Sequence, residues 1–336
     1  SRGLGDVYKR QVKYAMIRKN VRKYEGQMYK LFDIRHVKLQ FKIRFLEEGY
    51  VPQDKVSAIR GGIGEMLLRM NCIGRRDCEN CSFRNECIVQ RIYYHKPAIV
   101  PDFVTEKGNM GYLFECDNAY KYVEKGTVME FSMLLLGDNI VNFSSILQAV
   151  YQFGMYGIGK EGISFEIISI VNHRNESILY ENNVRMDLLY PDYISDYIQK
   201  RIREEGISDR YSLRFETPWS QKYQGKFIHK ISSEPFVDAV YRRCYLAHCM
   251  EGIPMNRAHP FRNQMHITKQ KSWTDGILRY SSTHEEKIAL KGIAGKAVLE
   301  DVSEEFLPYL FAAELLHIGK NTSMGFGKYT VKAIDE

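Results

Sequence analysis

Four of the chain's seven cysteines lie close together, as Cys72-x5-Cys78-x2-Cys81-x5-Cys87. Two thiols two residues apart at a tight turn, flanked by two more, can complete a tetrahedral metal site. The spacing therefore predicts Cys72, Cys78, Cys81 and Cys87 as ligands of a structural zinc, with an iron–sulfur cluster as the second choice. Independent reduced thiols are the plainer alternative. A site closed by four thiolates keeps no open position for metal-assisted hydrolysis, so the expected role is to staple a loop carrying Arg75, Arg76 and Arg84. Cys116, Cys244 and Cys249 read as core residues.

The run Leu316-His317-Ile318-Gly319-Lys320-Asn321-Thr322-Ser323-Met324-Gly325-Phe326-Gly327-Lys328-Tyr329 is a second chemical signal. Gly319, Gly325 and Gly327 let the backbone adopt φ > 0 and approach another chain, while Lys320 and Lys328 add positive charge. That suits a polyanion lying over the loop. It is not a nucleotide-binding P-loop, since no Gly-Lys-Ser/Thr closes it and the helix precedes it. A helix C-cap followed by a buried strand accounts for the same residues, and the loop alone leaves both readings open. A weaker copy, Tyr156-Gly157-Ile158-Gly159-Lys160-Glu161-Gly162, precedes a strand-like segment about 160 residues earlier, a separation that fits two related domains.

Histidine suits proton transfer near neutral pH and lysine suits a developing negative charge. Nine histidines are too many to choose among by chemistry alone. His317 ends the last helix against the glycine loop, with Lys320 three residues on; the plainer role for His317 is to cap the helix C-terminus. Tyr93-Tyr94-His95-Lys96 sets a phenol, an imidazole and an ammonium side by side, and His36 opens the first strand. His248, His259, His266 and His284 read as surface or packing residues.

Elements to position these groups follow from hydrophobic period. Residues 37–45 alternate apolar with polar, the polar ones mostly basic, which predicts a strand with one solvated, positive face. Val56, Ile59, Ile63, Met66, Leu67 and Met70 recur at helical spacing, interrupted by Gly61, Gly62 and Gly64; those glycines imply close approach of another backbone, or tight packing. Strand patterns return near residues 111–115 and 128–133, then a helix with Phe143, Ile146, Leu147, Val150 and Phe153, then a strand at 164–171. The second half repeats that order: a strand at 211–217, a helix from Ser233, a hairpin over 277–280 and 287–293, and a helix starting near Ser303.

The expected fold is α+β, two tandem ferredoxin-like βαββαβ domains with a cysteine-rich insert in the first. The expected boundaries are an N-terminal extension over 1–35, partly foreign or frayed; a first domain over 36–194 with the insert at 72–96; a linker over 195–209, charged and open to being partly helical; and a second domain over 210–336. At 336 residues, 44% hydrophobic and 26% charged, the chain can hold two globular cores. A net charge of +7 favours acidic partners. No apolar run reaches membrane-span length, and reduced cysteines suit a cytoplasmic location.

This arrangement resembles the RAMP superfamily of CRISPR-associated RNA-binding proteins, and within it the CRISPR precursor-RNA processing endoribonucleases. The residues carrying the resemblance are 213–218 (Leu213-Arg214-Phe215-Glu216-Thr217-Pro218), 279–282, 290–295, the terminal glycine loop, and 59–64 followed by Cys72. The resemblance implies metal-independent cleavage of CRISPR repeat RNA. The ribose 2′-OH attacks the scissile phosphate, leaving a 2′,3′-cyclic phosphate and a 5′-OH. His317 matches the family's motif, and the catalytic candidates are His317, Lys320, His95 and His36. Candidate RNA contacts are Arg60, Lys160, Arg242, Arg243, Lys269, Lys271, Arg279, Lys291, Lys296, Gly319, Gly325, Gly327 and Lys328, though any single cation can be just a solvated charge. The other reading is a catalytically silent RAMP-type subunit holding RNA in an effector complex, which would make that complex's proteins partners in antiviral defence.

Overall fold

The computed structural model describes residues 31–78, 80–94, 97, 99, 101, 111–117, 119–180, 183–256, 261, 265–281 and 286–334. Strand β1 (Arg35–Phe45) sends Val37, Leu39, Phe41, Ile43 and Phe45 inward, as its alternation requires. Helix α1 (Lys55–Asn71) starts where the Asp54 carboxylate accepts the Ser57 amide at 3.3 Å, an N-cap, and buries Val56, Ile59, Ile63, Met66 and Leu67. Short helix α2 (Ile88–Tyr93) follows the cysteine-rich segment. Strands β2 (Tyr112–Glu115) and β3 (Val128–Leu136), helix α3 (Phe143–Tyr156) and strand β4 (Phe165–Val171) complete the unit. Its sheet runs β2–β3–β1–β4, antiparallel throughout.

Two of the α1 glycines are explained by packing within the chain. A side chain at Gly62 would collide with the Phe153 ring of α3, and one at Gly64 would meet the Tyr93 ring of α2 at 3.0 Å. Gly61 faces open space.

Residues 194–205 form a helix, α4 (Ile194–Glu205), with Ile194, Ile198 and Ile202 buried. Its Arg201 bonds Glu314 at 2.9 Å and the Val331 carbonyl at 2.9 Å. The second unit comprises β5 (Tyr211–Trp219), α5 (Ser233–Glu251), β6 (His266–Ser281), β7 (Glu286–Glu300), α6 (Leu307–Leu316) and β8 (Tyr329–Ala333). Its sheet order, β6–β7–β5–β8, repeats the first. The α+β expectation of two ferredoxin-like units holds. The β6–β7 hairpin is longer than its hydrophobic pattern indicated. The last helix begins at Leu307 rather than near Ser303, because Ser303 caps a preceding turn through Phe306.

Two cores form. One lies between the first sheet and helices α1 and α3. The other lies between the second sheet and helices α4, α5 and α6, and takes in Phe32, Ile34, Leu113, Leu134 and Leu136. Strands β2 and β3 are thus buried on both faces, which accounts for the unbroken apolar run Met133-Leu134-Leu135-Leu136. Phe32 and Ile34, inside the segment expected as an extension, are fully buried. Among the described residues no helix is long and apolar enough to cross a membrane.

Candidate functional site

The terminal glycine loop is stitched to the end of β5. The Ile318 amide bonds the Gly327 carbonyl at 3.0 Å, the Gly327 amide bonds Pro218 at 2.9 Å, and the Lys320 amide bonds Ser220 at 2.7 Å. Gly319, Gly325 and Gly327 have φ of 81°, 81° and 75°. A side chain at Gly319 would strike the Ser220 carbonyl and the Trp219 indole; at Gly327, the Ile318 carbonyl. Gly325 faces Val56 of α1, 3.3 Å from where a Cβ would lie. The three glycines expected to contact RNA therefore face this chain's own atoms.

Arg243, also expected on RNA, is 5% exposed and donates Nε to the Leu316 carbonyl at 2.8 Å. It serves the last helix by satisfying a C-terminal carbonyl. Burial pushes its guanidinium down to about 10.

His317 is 1% exposed and donates from Nε2 to Glu115 at 3.3 Å. Lys38 approaches the same carboxylate at 2.9 Å and Lys328 at 3.1 Å. Burial alone would raise the Glu115 carboxyl, but the His317 hydrogen bond and the two ammoniums outweigh it and hold the group well below the usual carboxylate range. Burial lowers His317, against the pull of Glu115, and its Nδ1 has no partner among the described residues. Glu115 and Lys38 belong to the first unit and His317 and Lys328 to the second. The cluster pins one to the other.

His36 is 4% exposed, and burial pushes it down to about 4. Its ring lies 6.5 Å from that of His173, whose Nε2 is 2.9 Å from Asp192. His95 lies outside the described residues. Of the four catalytic candidates only Lys320 is exposed in the described structure.

The remaining cations divide by neighbourhood. On β1, Lys42 pairs with Glu130 at 2.8 Å and Arg44 with Glu166 at 3.3 Å, so the positive face read from the sequence is neutralised by adjacent strands. The second sheet differs. Lys271 on β6 stands opposite Lys296 on β7, and Lys296 stands opposite Arg214 on β5. Lys271 and Lys296 are exposed, and Arg214 pairs with the Glu216 carboxylate of its own strand, at 3.4 Å. Like charges directly opposite destabilise a sheet unless a polyanion covers them. Lys160, Arg242 and Lys269 are exposed elsewhere, Arg60 is half-buried with its guanidinium 5.3 Å from the Tyr93 ring centre, and Arg279 lies on β6 opposite Ile288.

A cleft of about 630 Å³ opens between the glycine loop, β7 and the turn that follows β5. Trp219 lines it, with Phe227, His229, Lys291 and Lys320 around it. It brings together two expected RNA or catalytic residues, Lys320 and Lys291, and two that sequence reasoning missed, Phe227 and His229. The missed pair sits in or beside a two-residue hairpin, Lys222–Tyr223 with Lys226–Phe227, too short to leave a hydrophobic period.

Cys72, Cys78, Cys81 and Cys87 line one hollow of about 280 Å³. All four are free thiols, partly exposed, and burial pushes the Cys78 thiol up. Among the described residues no three metal-ligating side chains converge closely enough to hold an ion without rearrangement. Of the nearby arginines, Arg76 pairs with Glu65 at 3.1 Å.

Residues 213–329 match the family model for the CRISPR-associated endoribonuclease Cas6, and residues 34–190 match a model described as an N-terminal domain. No curated protein matches. Among solved structures, a partial Cas6-RT-Cas1–Cas2 complex is similar at a TM-score of 0.54 and 9% identity, covering 90% of this chain and 47% of that one. A Cas6-RT-Cas1–Cas2 complex gives 0.54 and 9%, covering 90% and 29%. The chain thus spans about half, or under a third, of those two. A Cas6 product complex from Thermus thermophilus gives 0.50 and 12%, covering 88% of this chain and 99% of that one. At such identities the likeness is one of fold. The family match is to the CRISPR-associated Cas6 endoribonucleases and covers residues 213–329 of the 336.

Proposed function

We propose that this chain cleaves CRISPR repeat RNA, the precursor of guide RNA, without a catalytic metal. The ribose 2′-OH attacks the adjacent phosphate, leaving a 2′,3′-cyclic phosphate and a 5′-OH. The match of residues 213–329 to the Cas6 endoribonucleases carries this reading. The cationic row Lys271–Lys296–Arg214 and the cleft at the glycine loop support it, since both offer a polyanion a place to lie.

The reaction needs a base, an acid and positive charge on the phosphorane. Lys320 is the exposed cation on the glycine-loop side of the cleft, facing Lys291, and supplies that charge. His229 is the exposed imidazole in the same cleft and takes a proton-transfer role, with His95 the second candidate. Buried His317 and His36 act as positioning residues. The four clustered cysteines hold a structural zinc once the 72–87 loop tightens around it, and that ion takes no part in the chemistry. A cytoplasmic location follows from these reduced thiols. The likeness to Cas6-RT-Cas1–Cas2 assemblies makes a Cas1–Cas2 module a candidate partner.

Burial of His317 and His36 is the observation that favours the other reading, a silent RNA-holding subunit. Cleavage and binding of labelled repeat RNA by His229→Ala, His95→Ala and Lys320→Ala separate the two. An enzyme loses cleavage but keeps binding in at least one histidine variant. A scaffold shows no turnover in any variant or in the parent.

A further inference from the structure

The cleft beside the glycine loop carries features that cleavage chemistry alone does not require. Phe227 is 50% exposed, an aromatic ring standing out of a short polar hairpin. The Lys222 ammonium lies 5.0 Å and the Lys320 ammonium 5.9 Å from its ring centre. Trp219 lines the cleft, is 0% exposed, and its indole Nε1 has no acceptor among the described residues. A buried N–H left without an acceptor is costly, and this one lies against Gly319, next to Lys320 in the cleft wall.

We propose that this cleft seats one unpaired nucleotide of single-stranded RNA, its base stacked on Phe227 and its phosphate held by Lys320 and Lys222. The proposal rests on the RNA-binding reading above and adds to it a strand-state preference, because a base inside a duplex cannot present its face to Phe227. The cleft's volume of about 630 Å³ suits a small ligand. Among the described residues no carboxylate lines it. A second hollow of about 610 Å³, at the start of α5, is lined by Glu234 and Asp238 and would repel a phosphate. When a base stacks, it takes the place of an ammonium over the ring, and that ammonium moves to the phosphate.

The chain's two tryptophans provide the test. Trp273→Phe leaves Trp219 as the only indole emitter. Titrating that variant with the hexanucleotide rA6 should change its emission saturably. Adding Phe227→Ala should weaken rA6 binding about tenfold or more, while Phe227→Tyr keeps it. Lys320→Ala should flatten the salt dependence. Emission unmoved by rA6, or unchanged rA6 affinity in Phe227→Ala, overturns the subsite. If full repeat RNA still binds in that case, the RNA reading stands without it. If neither RNA binds and an acidic peptide such as poly-glutamate does, both readings fall and the cleft is a protein-docking surface.

Discussion

Glu115 shows how one carboxylate can set the relation between two structural units. It sits 11% exposed among His317, Lys38 and Lys328, each within hydrogen-bond or ion-pair reach. Glu115→Gln removes the counter-ion of Lys38 and leaves Lys328 with Asp117 at 3.8 Å, and should destabilise the protein by about 1–3 kcal/mol at pH 7 in urea unfolding. The sign with pH follows from a folded-state pKa below the ordinary 4.5. The stabilisation is fully present above about pH 4.5 and is lost as pH falls through the folded value. The gap between parent and variant should therefore close on acidification. His317 was visible in the sequence through its glycine neighbours. Its burial was not, because its partner lies 202 residues away on a strand with no local mark of that contact.

Among the elements, glycine position decides what a substitution does. Gly327 has φ of 75° and its missing Cβ would overlap the Ile318 carbonyl, so Gly327→Ala should cost about 2–5 kcal/mol. Gly61 lies in the α1 interior with nothing within 4 Å of a built Cβ. Gly61→Ala should be neutral or stabilise by up to about 1 kcal/mol. Thermal unfolding of the two variants checks both signs. The cysteine insert yields a composition test: purified chain should carry one zinc by elemental analysis, and Cys78→Ser should lose it together with thermal stability. The βαββαβ order was legible because period-2 and period-3.6 segments alternate along the chain. Helix α4 was read as a linker because charged residues crowd its sequence, while its apolar face, Ile194, Ile198 and Ile202, repeats only every fourth residue. The cleft residues Phe227 and His229 escaped because a two-residue hairpin has no period to detect.

At the scale of the whole molecule, two repeated sheets share a boundary through β2 and β3, and charge is distributed unequally between them. Glutamates on neighbouring strands answer the cations of β1, whereas Lys271 and Lys296 stand side by side on the second sheet. The sequence showed the net positive charge but not this asymmetry, since register between distant strands decides which charges meet. The double variant Lys271→Ala, Lys296→Ala should weaken repeat-RNA binding at least about tenfold and reduce the slope of log affinity against log salt by roughly 1.4, as for two lost phosphate contacts on a single strand. Fluorescence anisotropy across a salt series reads both.

The most direct test of the account is cleavage of labelled CRISPR repeat RNA by the zinc-loaded protein in excess EDTA, beside the same RNA with a 2′-deoxy sugar at the cut site. The account predicts a cut at one position, a 2′,3′-cyclic phosphate on the upstream product, and no cut in the deoxy substrate. Tight binding of the repeat with no cleavage, or equal cleavage of the deoxy substrate, would contradict it.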